Sequence, residues 1–250
     1  MEKVKLTNSF ISNFSYYGKP FSDDNHFSES QLFYNDKEML KLLKKKYLDR
    51  EKTVLRLEEL QGDNICLPTS AVYEKRKFSG YTMPYYKDFK VLEDYIFGNL
   101  PFEERKRMCL DLCKIINDLR KQGFAYYDIH PFNVLYNGEK LMIVDMDSGA
   151  FRPDRYIDAI YDYETFNMYC RVGDYYLAKT VLGLLFENYR DLLVEQISSN
   201  KKELYSNSSS KLINFYNYVI KNKGDRFDVS EHIEDIDEDY VENAKLILKK

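Results

Sequence analysis

The 250-residue sequence contains no tryptophan and is poor in glycine, with 10 residues of that type. Gly18 is the only glycine among the first 61 residues. A GxGxxG phosphate loop is therefore excluded from this part of the chain, because such a loop needs glycines to let backbone N–H groups approach phosphates closely.

Cysteine is also scarce, and no CxxC pair occurs. The four cysteines are Cys66, Cys109, Cys113 and Cys170. Cys109 and Cys113 stand one helical turn apart, but no second pair of metal-ligating residues lies near them. We therefore expect all four to be small buried residues rather than a disulfide framework or a zinc site.

Long apolar runs and an excess of one charge are missing too. No run approaches the roughly 18 residues of a membrane-spanning helix, and the N-terminus lacks the apolar stretch of a signal peptide. Lys and Arg number 37 against 41 Asp and Glu, giving a formal charge of −4. We expect a cytoplasmic protein with no general attraction for nucleic acid or membranes.

The sequence contains enough hydrophobic residues for a large core: they make up 44% of the chain and include 23 Tyr and 16 Phe. Aromatic and β-branched residues between turn formers predict strands in the first third, with a helix over 48–61. The segment 38–47, EMLKLLKKKY, fits either a strand or a helix. Two short strands are predicted around Lys75 to Gly80.

From residue 91 onward, helical patterns dominate. A long helix is predicted from Pro101 to about Gln122, with Met108, Leu112, Ile115, Ile116 and Leu119 on its buried face. The Asn137–Gly138 pair predicts a hairpin between two short strands. Further amphipathic helices are predicted over 173–188 and 211–223.

The segment 123–152 holds the residues that indicate chemistry. A loop carries Asp128, His130 and Asn133, and the second strand of the hairpin leads to Asp145 and Asp147. Phosphoryl transfer needs a carboxylate to orient and deprotonate the incoming hydroxyl, and hard oxygen ligands for Mg²⁺. Asp128 suits the first task, and Asn133 and Asp145 suit the second.

The motifs DIHPFN and MIVDMDSG resemble the catalytic loop and the metal-binding turn of the protein-kinase-like superfamily. The likeness extends to its aminoglycoside and choline kinase branches and to small bacterial protein-kinase-like proteins. It implies an α+β, bilobal protein-kinase-like fold. Residues 1–86 would form a small β-rich N-lobe that covers the nucleotide, and residues 87–250 a larger helical C-lobe.

The resemblance also implies a set of nucleotide-binding residues. Lys41 would hold the α- and β-phosphates and pair with Glu51, with Lys44 and Glu58 as the alternatives. In the stretch SGYTMPYY, Met83 to Tyr85 would meet adenine. Asp174 would brace the catalytic loop.

Two residues near the motifs each have two possible roles. His130 either donates to the γ-phosphate or holds the loop, and Asp147 is either a second metal ligand or, as we favour, a capping residue. Tyr127 stands where regulated protein kinases carry Arg, so no switch by activation-loop phosphorylation is expected.

The expected function is an ATP- and Mg²⁺-dependent phosphotransferase, with a Ser/Thr hydroxyl of a protein as the favoured acceptor. A small-molecule kinase of the aminoglycoside or choline type is the closest alternative. A pseudokinase binding module is the other, because the phosphate-loop glycines are missing. The expected ligands are ATP, Mg²⁺ and a hydroxyl acceptor.

Overall fold

The computed structural model describes residues 1–17, 30–98, 100–153, 163–221 and 226–248. These residues form eleven strands: β1 Glu2–Lys5, β2 Ser15–Tyr16, β3 Ser30–Tyr34, β4 Glu38–Leu43, β5 Ser70–Glu74, β6 Lys77–Pro84, β7 Lys90–Val91, β8 Phe124–Ala125, β9 Val134–Tyr136, β10 Leu141–Ile143 and β11 Ala150–Phe151.

The same residues form ten α-helices: α1 Asn8–Ile11, α2 Glu51–Arg56, α3 Glu93–Ile96, α4 Phe102–Lys121, α5 Tyr163–Phe186, α6 Arg190–Ser199, α7 Lys201–Ser206, α8 Ser210–Lys221, α9 Val229–Ile233 and α10 Glu238–Leu248. The prediction of a mixed protein with a sheet-rich N-terminal part and a helical C-terminal part is confirmed.

The chain divides into two compact units. The first contains Met1–Phe89 and Met142–Ser148, and the second contains Lys90–Leu141 and Gly149–Lys250. The first unit is thus completed by a short segment from much later in the sequence. The division into an N-lobe of residues 1–86 that covers the nucleotide and a C-lobe of residues 87–250 stays a prediction.

A six-stranded sheet dominates the first unit, in the order β1-β5-β6-β4-β3-β2. The outer strand β1 runs parallel to β5, and the other pairs are antiparallel. Of the segment 38–47, which fits either a strand or a helix, Glu38–Leu43 forms strand β4, with Leu40 and Leu43 buried.

The single helix predicted over 48–61 is wrong in detail. A 3₁₀ turn over Lys45–Arg50 precedes α2, and a second one over Leu57–Glu59 follows it. Val54 and Leu57 are fully buried, whereas Leu48 and Leu55 are half-buried.

In the second unit, α4 has the predicted extent, and Met108, Leu112, Ile115, Ile116 and Leu119 are all buried. Helix α5 begins at Tyr163, ten residues before the predicted start, because the buried stripe already includes Phe166 and Cys170. The predicted turn is present at Asn137, whose side chain accepts from the Lys140 N–H at 2.8 Å. The end of the helix predicted over 211–223 lies outside the described residues.

The cysteines are as expected: all four are buried and none forms a disulfide. Within the described parts of the chain, no helix combines the length and the apolar character needed to cross a bilayer.

Candidate functional site

Lys41 lies within β4 and is almost completely buried, with 2% of its surface exposed. The neighbouring strand β6 carries Gly80, paired with Leu42. A Cβ atom at Gly80 would lie 2.0 Å from the Lys41 carbonyl oxygen, so only glycine allows the two strands to approach so closely. The next residue of β6, Tyr81, places its ring centroid 5.7 Å from Lys41 Nζ. Strand β6 therefore holds the lysine from one side.

Two carboxylates from the segment 142–148 bind the Lys41 ammonium. Nζ donates to Asp145 Oδ1 and, at 2.8 Å, to Asp147 Oδ1. Buried charges of opposite sign need such pairing, because an isolated one is strongly destabilising in the interior. Within the first unit, the structure therefore joins the lysine predicted to bind phosphate to the aspartate predicted to bind metal.

Asp147 is an ion-pair centre rather than a capping residue. Its Oδ2 accepts from Arg50 Nη1 at 3.1 Å, and its Oδ1 also accepts from the Tyr81 hydroxyl at 2.9 Å. Sequence reasoning missed both donors. Nothing in the sequence around Tyr81 or Arg50 indicates an acceptor 66 or 97 residues later.

The two aspartates differ in their protonation. Burial, with the nearby charge of Asp147, raises the pKa of Asp145 to about 7 against the opposing effect of Lys41. Burial also disfavours the charged form of Asp147, but Lys41 and Arg50 outweigh it and hold the pKa of that carboxyl below its ordinary range. Burial alone would lower the pKa of Lys41, yet the two carboxylates raise it. One carboxylate is therefore always ionised, and the other titrates near neutrality.

The backbone at Asp145 is in the left-handed region, with φ at 60°. Asp tolerates this conformation better than most residues, at a cost of roughly 1–2 kcal/mol. The Ser148 hydroxyl donates to the Asp145 carbonyl at 3.4 Å and closes the tight turn that follows β10. Such local strain is typical of residues that a functional site holds in a fixed orientation.

The predicted Lys41–Glu51 ion pair is not formed. Glu51 accepts a hydrogen bond from the Tyr73 hydroxyl at 2.8 Å instead. The alternative acid, Glu58, pairs with the N-terminal ammonium. The alternative base, Lys44, is only half-buried at the start of a 3₁₀ turn, so burial distinguishes Lys41 from it.

Met83 and Tyr85, predicted to meet adenine, lie at the end of β6 and just after it. Met83 is buried and pairs with Met39 of β4. The Tyr85 backbone N–H donates to the Lys37 carbonyl at 2.9 Å, so this amide is already engaged. The Pro84 carbonyl accepts a weak hydrogen bond from Cys66 Sγ at 3.8 Å.

In the second unit, the 128–133 loop brings Asp128 and Asn133 together. Asn133 Nδ2 donates to the Asp128 carbonyl and to Asp128 Oδ2, both at 3.1 Å. The Asp128 side chain is 40% exposed, whereas Asn133 is buried. The buried amide therefore orients a carboxylate that stays accessible, as a residue that must receive a proton requires.

His130 holds the loop through its side chain. Its Nδ1 accepts from the Phe132 N–H at 3.2 Å, which caps the short 3₁₀ turn over Pro131–Asn133. Its Nε2 lies 3.7 Å from Asp128 Oδ1. Burial and the charge of Arg190 lower the pKa of His130 although Asp128 raises it, so the neutral ring is favoured.

Two residues that sequence reasoning missed support the loop backbone. The Ile129 carbonyl accepts from Thr180 Oγ1 at 3.1 Å and from Arg190 Nη1 at 2.8 Å. Thr180 lies on α5 and Arg190 begins α6. No pattern in the sequence indicates their common acceptor.

Asp174, predicted to brace the loop, is fully buried on α5. It pairs with Arg120 and Arg226 rather than with the loop itself. The loop and helix nonetheless meet one residue earlier, since a Cβ atom at Gly173 would lie 2.7 Å from the Tyr126 carbonyl oxygen. Tyr127, which directly precedes Asp128, stacks on Tyr169 at 4.4 Å between ring centroids.

The carboxylates of the first unit suit Mg²⁺ bound together with phosphates. Within the described parts of the chain, no three His, Cys, Asp or Glu side chains are grouped to hold a metal by themselves. Mg²⁺ is ordinarily bound by one or two carboxylates, with waters and substrate phosphates as its other ligands. Asp145, with 32% of its side chain exposed, offers such a carboxylate, whereas both oxygens of Asp147 already accept from Lys41, Tyr81 and Arg50.

No protein-family model matches the chain, and no curated protein matches it.

Proposed function

We propose that this protein is an ATP- and Mg²⁺-dependent phosphotransferase of the protein-kinase-like type that transfers the γ-phosphoryl group to a hydroxyl. The observation that carries the proposal is the buried pairing of Lys41 with Asp145 and Asp147. The sequence motifs select Lys41 and Asp145 independently, 104 residues apart, and the fold of the first unit places them in one ion pair.

Lys41 is in a position to exchange a carboxylate for a phosphate oxygen. An ammonium surrounded by acceptors can change partners, and its charge would offset that of the α- and β-phosphates. Asp145 would supply a carboxylate ligand to Mg²⁺, and the ion would offset the negative charge that develops during transfer.

Asp128 is proposed as the base. The acceptor oxygen forms a bond to the γ-phosphorus, the bond from phosphorus to the bridging oxygen of ADP breaks, and the hydroxyl proton passes to Asp128. The exposed carboxylate, fixed by Asn133, and the backbone support of Ile129 favour this assignment. The preferred acceptor is a Ser/Thr side chain, and a small-molecule alcohol is the alternative.

One observation favours a second candidate, a pseudokinase that binds nucleotide without transfer. The Tyr85 amide, at the predicted adenine-binding position, is already bonded within the sheet. A module of this kind would bind nucleotide without needing Mg²⁺.

The test is transfer of label from γ-labelled ATP to the protein itself, to a generic Ser/Thr substrate and to aminoglycoside and choline acceptors. The wild type is run beside Asp128→Ala and Asp145→Ala, each with and without Mg²⁺. We expect Mg²⁺-dependent transfer, reduced by roughly 10²–10⁴-fold in Asp128→Ala.

Asp111→Ala is the matched control, because Asp111 is an exposed acid in the same unit. It should leave transfer unchanged. Nucleotide binding without transfer in the wild type, and without dependence on Mg²⁺, would favour the pseudokinase. Transfer that persists in Asp128→Ala would contradict the assignment of the base.

A further inference from the structure

Basic side chains gather at one edge of the first unit, around Tyr73, whose hydroxyl donates to Glu51. A groove is lined by Lys3, Val4, Lys5, Tyr73, Lys75 and Arg76, and these residues are called the basic groove below. The two lysines belong to β1, and Lys75 and Arg76 form the turn between β5 and β6.

The four cations of the basic groove are not neutralised by acids. None of Lys3, Lys5, Lys75 and Arg76 forms an ion pair with another described residue, and all four are exposed. Glu2 lies on the face of β1 opposite to Lys3 and Lys5, and Glu74 is the cross-strand partner of Lys77. A local charge of about +4 on a chain whose net charge is −4 is a site for an anionic partner.

The two residues of the turn in the basic groove are unfavourable for its backbone conformation. Lys75 and Arg76 have φ values of 46° and 68°. Two-residue hairpin turns with positive φ at both positions strongly prefer Asn-Gly, because other residues are strained there. Two long cations in this turn reduce stability, and such a local cost is expected where the side chains serve a function.

Strand β1 also offers a free backbone edge. It is the outermost strand of the sheet formed by the described residues, paired on one side with β5. The Leu6 N–H donates to the Tyr73 carbonyl, so the alternation of a parallel ladder points the backbone groups of Lys3 and Lys5 away from β5. These two residues therefore present both unpaired backbone groups and a positive charge.

We propose that the basic groove binds an acidic, extended peptide segment of a partner protein, which adds to the sheet as a strand beside β1. The free backbone edge favours a peptide over a nucleic acid, because only a peptide supplies N–H and C=O groups at the spacing of a strand. Acidic residues at every second position of that peptide would face Lys3 and Lys5.

The test uses fluorescence anisotropy with a labelled eight-residue peptide that alternates Glu and Thr. A peptide of the same composition with four Glu followed by four Thr tests the period. A third, N-methylated at alternate residues, removes the N–H groups needed for strand addition. A single-stranded oligothymidylate and vesicles containing phosphatidylserine test other anionic partners.

The alternating peptide should bind best, more weakly at high salt, and K3E/K5E should lower its affinity by about tenfold or more. The matched control K114E/K202E introduces the same charge change at exposed lysines of the second unit and should have no effect. Circular dichroism confirms that each variant is folded.

The variant K75N/R76G should change stability and peptide binding in opposite directions. It should raise the melting temperature, because the turn gains its preferred residues, and at the same time weaken peptide binding. The proposal is overturned if the N-methylated peptide binds equally well, if the nucleic acid or the vesicles bind more tightly than the peptide, or if K3E/K5E and K75N/R76G both leave peptide binding unchanged.

Discussion

Asp147 and Asp128 are carboxylates in the two compact units, and their surroundings are opposite. Asp147 is 1% exposed and accepts from two cations and a tyrosine hydroxyl. The Asp128 side chain is 40% exposed and accepts from the neutral amide of Asn133. The first carboxylate completes a balanced set of charges in the interior, whereas the second is oriented but left accessible.

This difference separates two uses of the same side chain. Loss of a buried ion-pair partner leaves uncompensated charge, which destabilises the fold. Loss of an exposed carboxylate changes little in the folded state, so such a residue is retained for what it binds or for the proton it accepts. The three predictions that follow test this separation.

The largest effect is expected for Asp147→Ala. Lys41 and Arg50 would lose their shared acceptor, and we expect the free energy of unfolding to fall by about 3–5 kcal/mol. Urea denaturation measures it. Asp63→Ala, at an exposed acid of the same unit, is the control and should change the free energy by under about 0.5 kcal/mol. A loss for Asp147→Ala no larger than the control would contradict the interpretation.

A smaller effect follows from the raised pKa of Asp145, about 7 against an ordinary 3.8. Between pH 4 and 7 the folded protein holds a proton that the unfolded chain has lost. This contribution to stability therefore falls as pH rises through that window, by at most about 1.4 kcal/mol per pH unit. Asp147, with its lowered pKa, is ionised in both states above about pH 5 and adds no slope there.

The measurement is urea denaturation of the wild type and Asp145→Asn at pH 5, 6 and 7. As pH rises, the unfolding free energy of the wild type should fall steadily relative to that of Asp145→Asn. For Asp63→Asn the difference from the wild type should be constant. Parallel curves for the wild type and Asp145→Asn would show that Asp145 does not titrate in this range.

The smallest effect on stability is expected for Asp128→Asn. An amide of the same shape keeps the contact region filled, and we expect a change of under about 0.5 kcal/mol in the free energy of unfolding. Urea denaturation at pH 7 checks it. A loss comparable with that of Asp147→Ala would remove the distinction between the two carboxylates.

Local patterns predicted much of the fold. The 3.6-residue apolar period located α4 and its buried face. Two strands around Lys75 to Gly80 were also predicted, but the turn between β5 and β6 is confined to Lys75 and Arg76, and Gly80 lies within β6. The early start of α5 and the division of the 48–61 helix were not predictable, because packing rather than propensity decides where marginal turns become helical.

The candidate site shows the same limit. The spacing of Asp128, Asn133 and Asp145 pointed to these positions from the sequence. The partners of Asp147, and the common acceptor of Thr180 and Arg190, depend on which strands and helices become neighbours. A single sequence carries no signal for these pairs of residues, 51 to 106 positions apart, unless a motif includes both members.

The discontinuity of the first unit has a consequence for synthesis on the ribosome. Lys41 is made 104 residues before Asp145. At translation rates of about 5–20 residues per second, this interval lasts roughly 5–20 s. Over that time the β4 lysine has no counter-charge and must stay hydrated, so the sheet of residues 1–89 cannot close over it. The first unit is therefore expected to reach its final packing only after the Lys90–Leu141 part of the second unit has emerged.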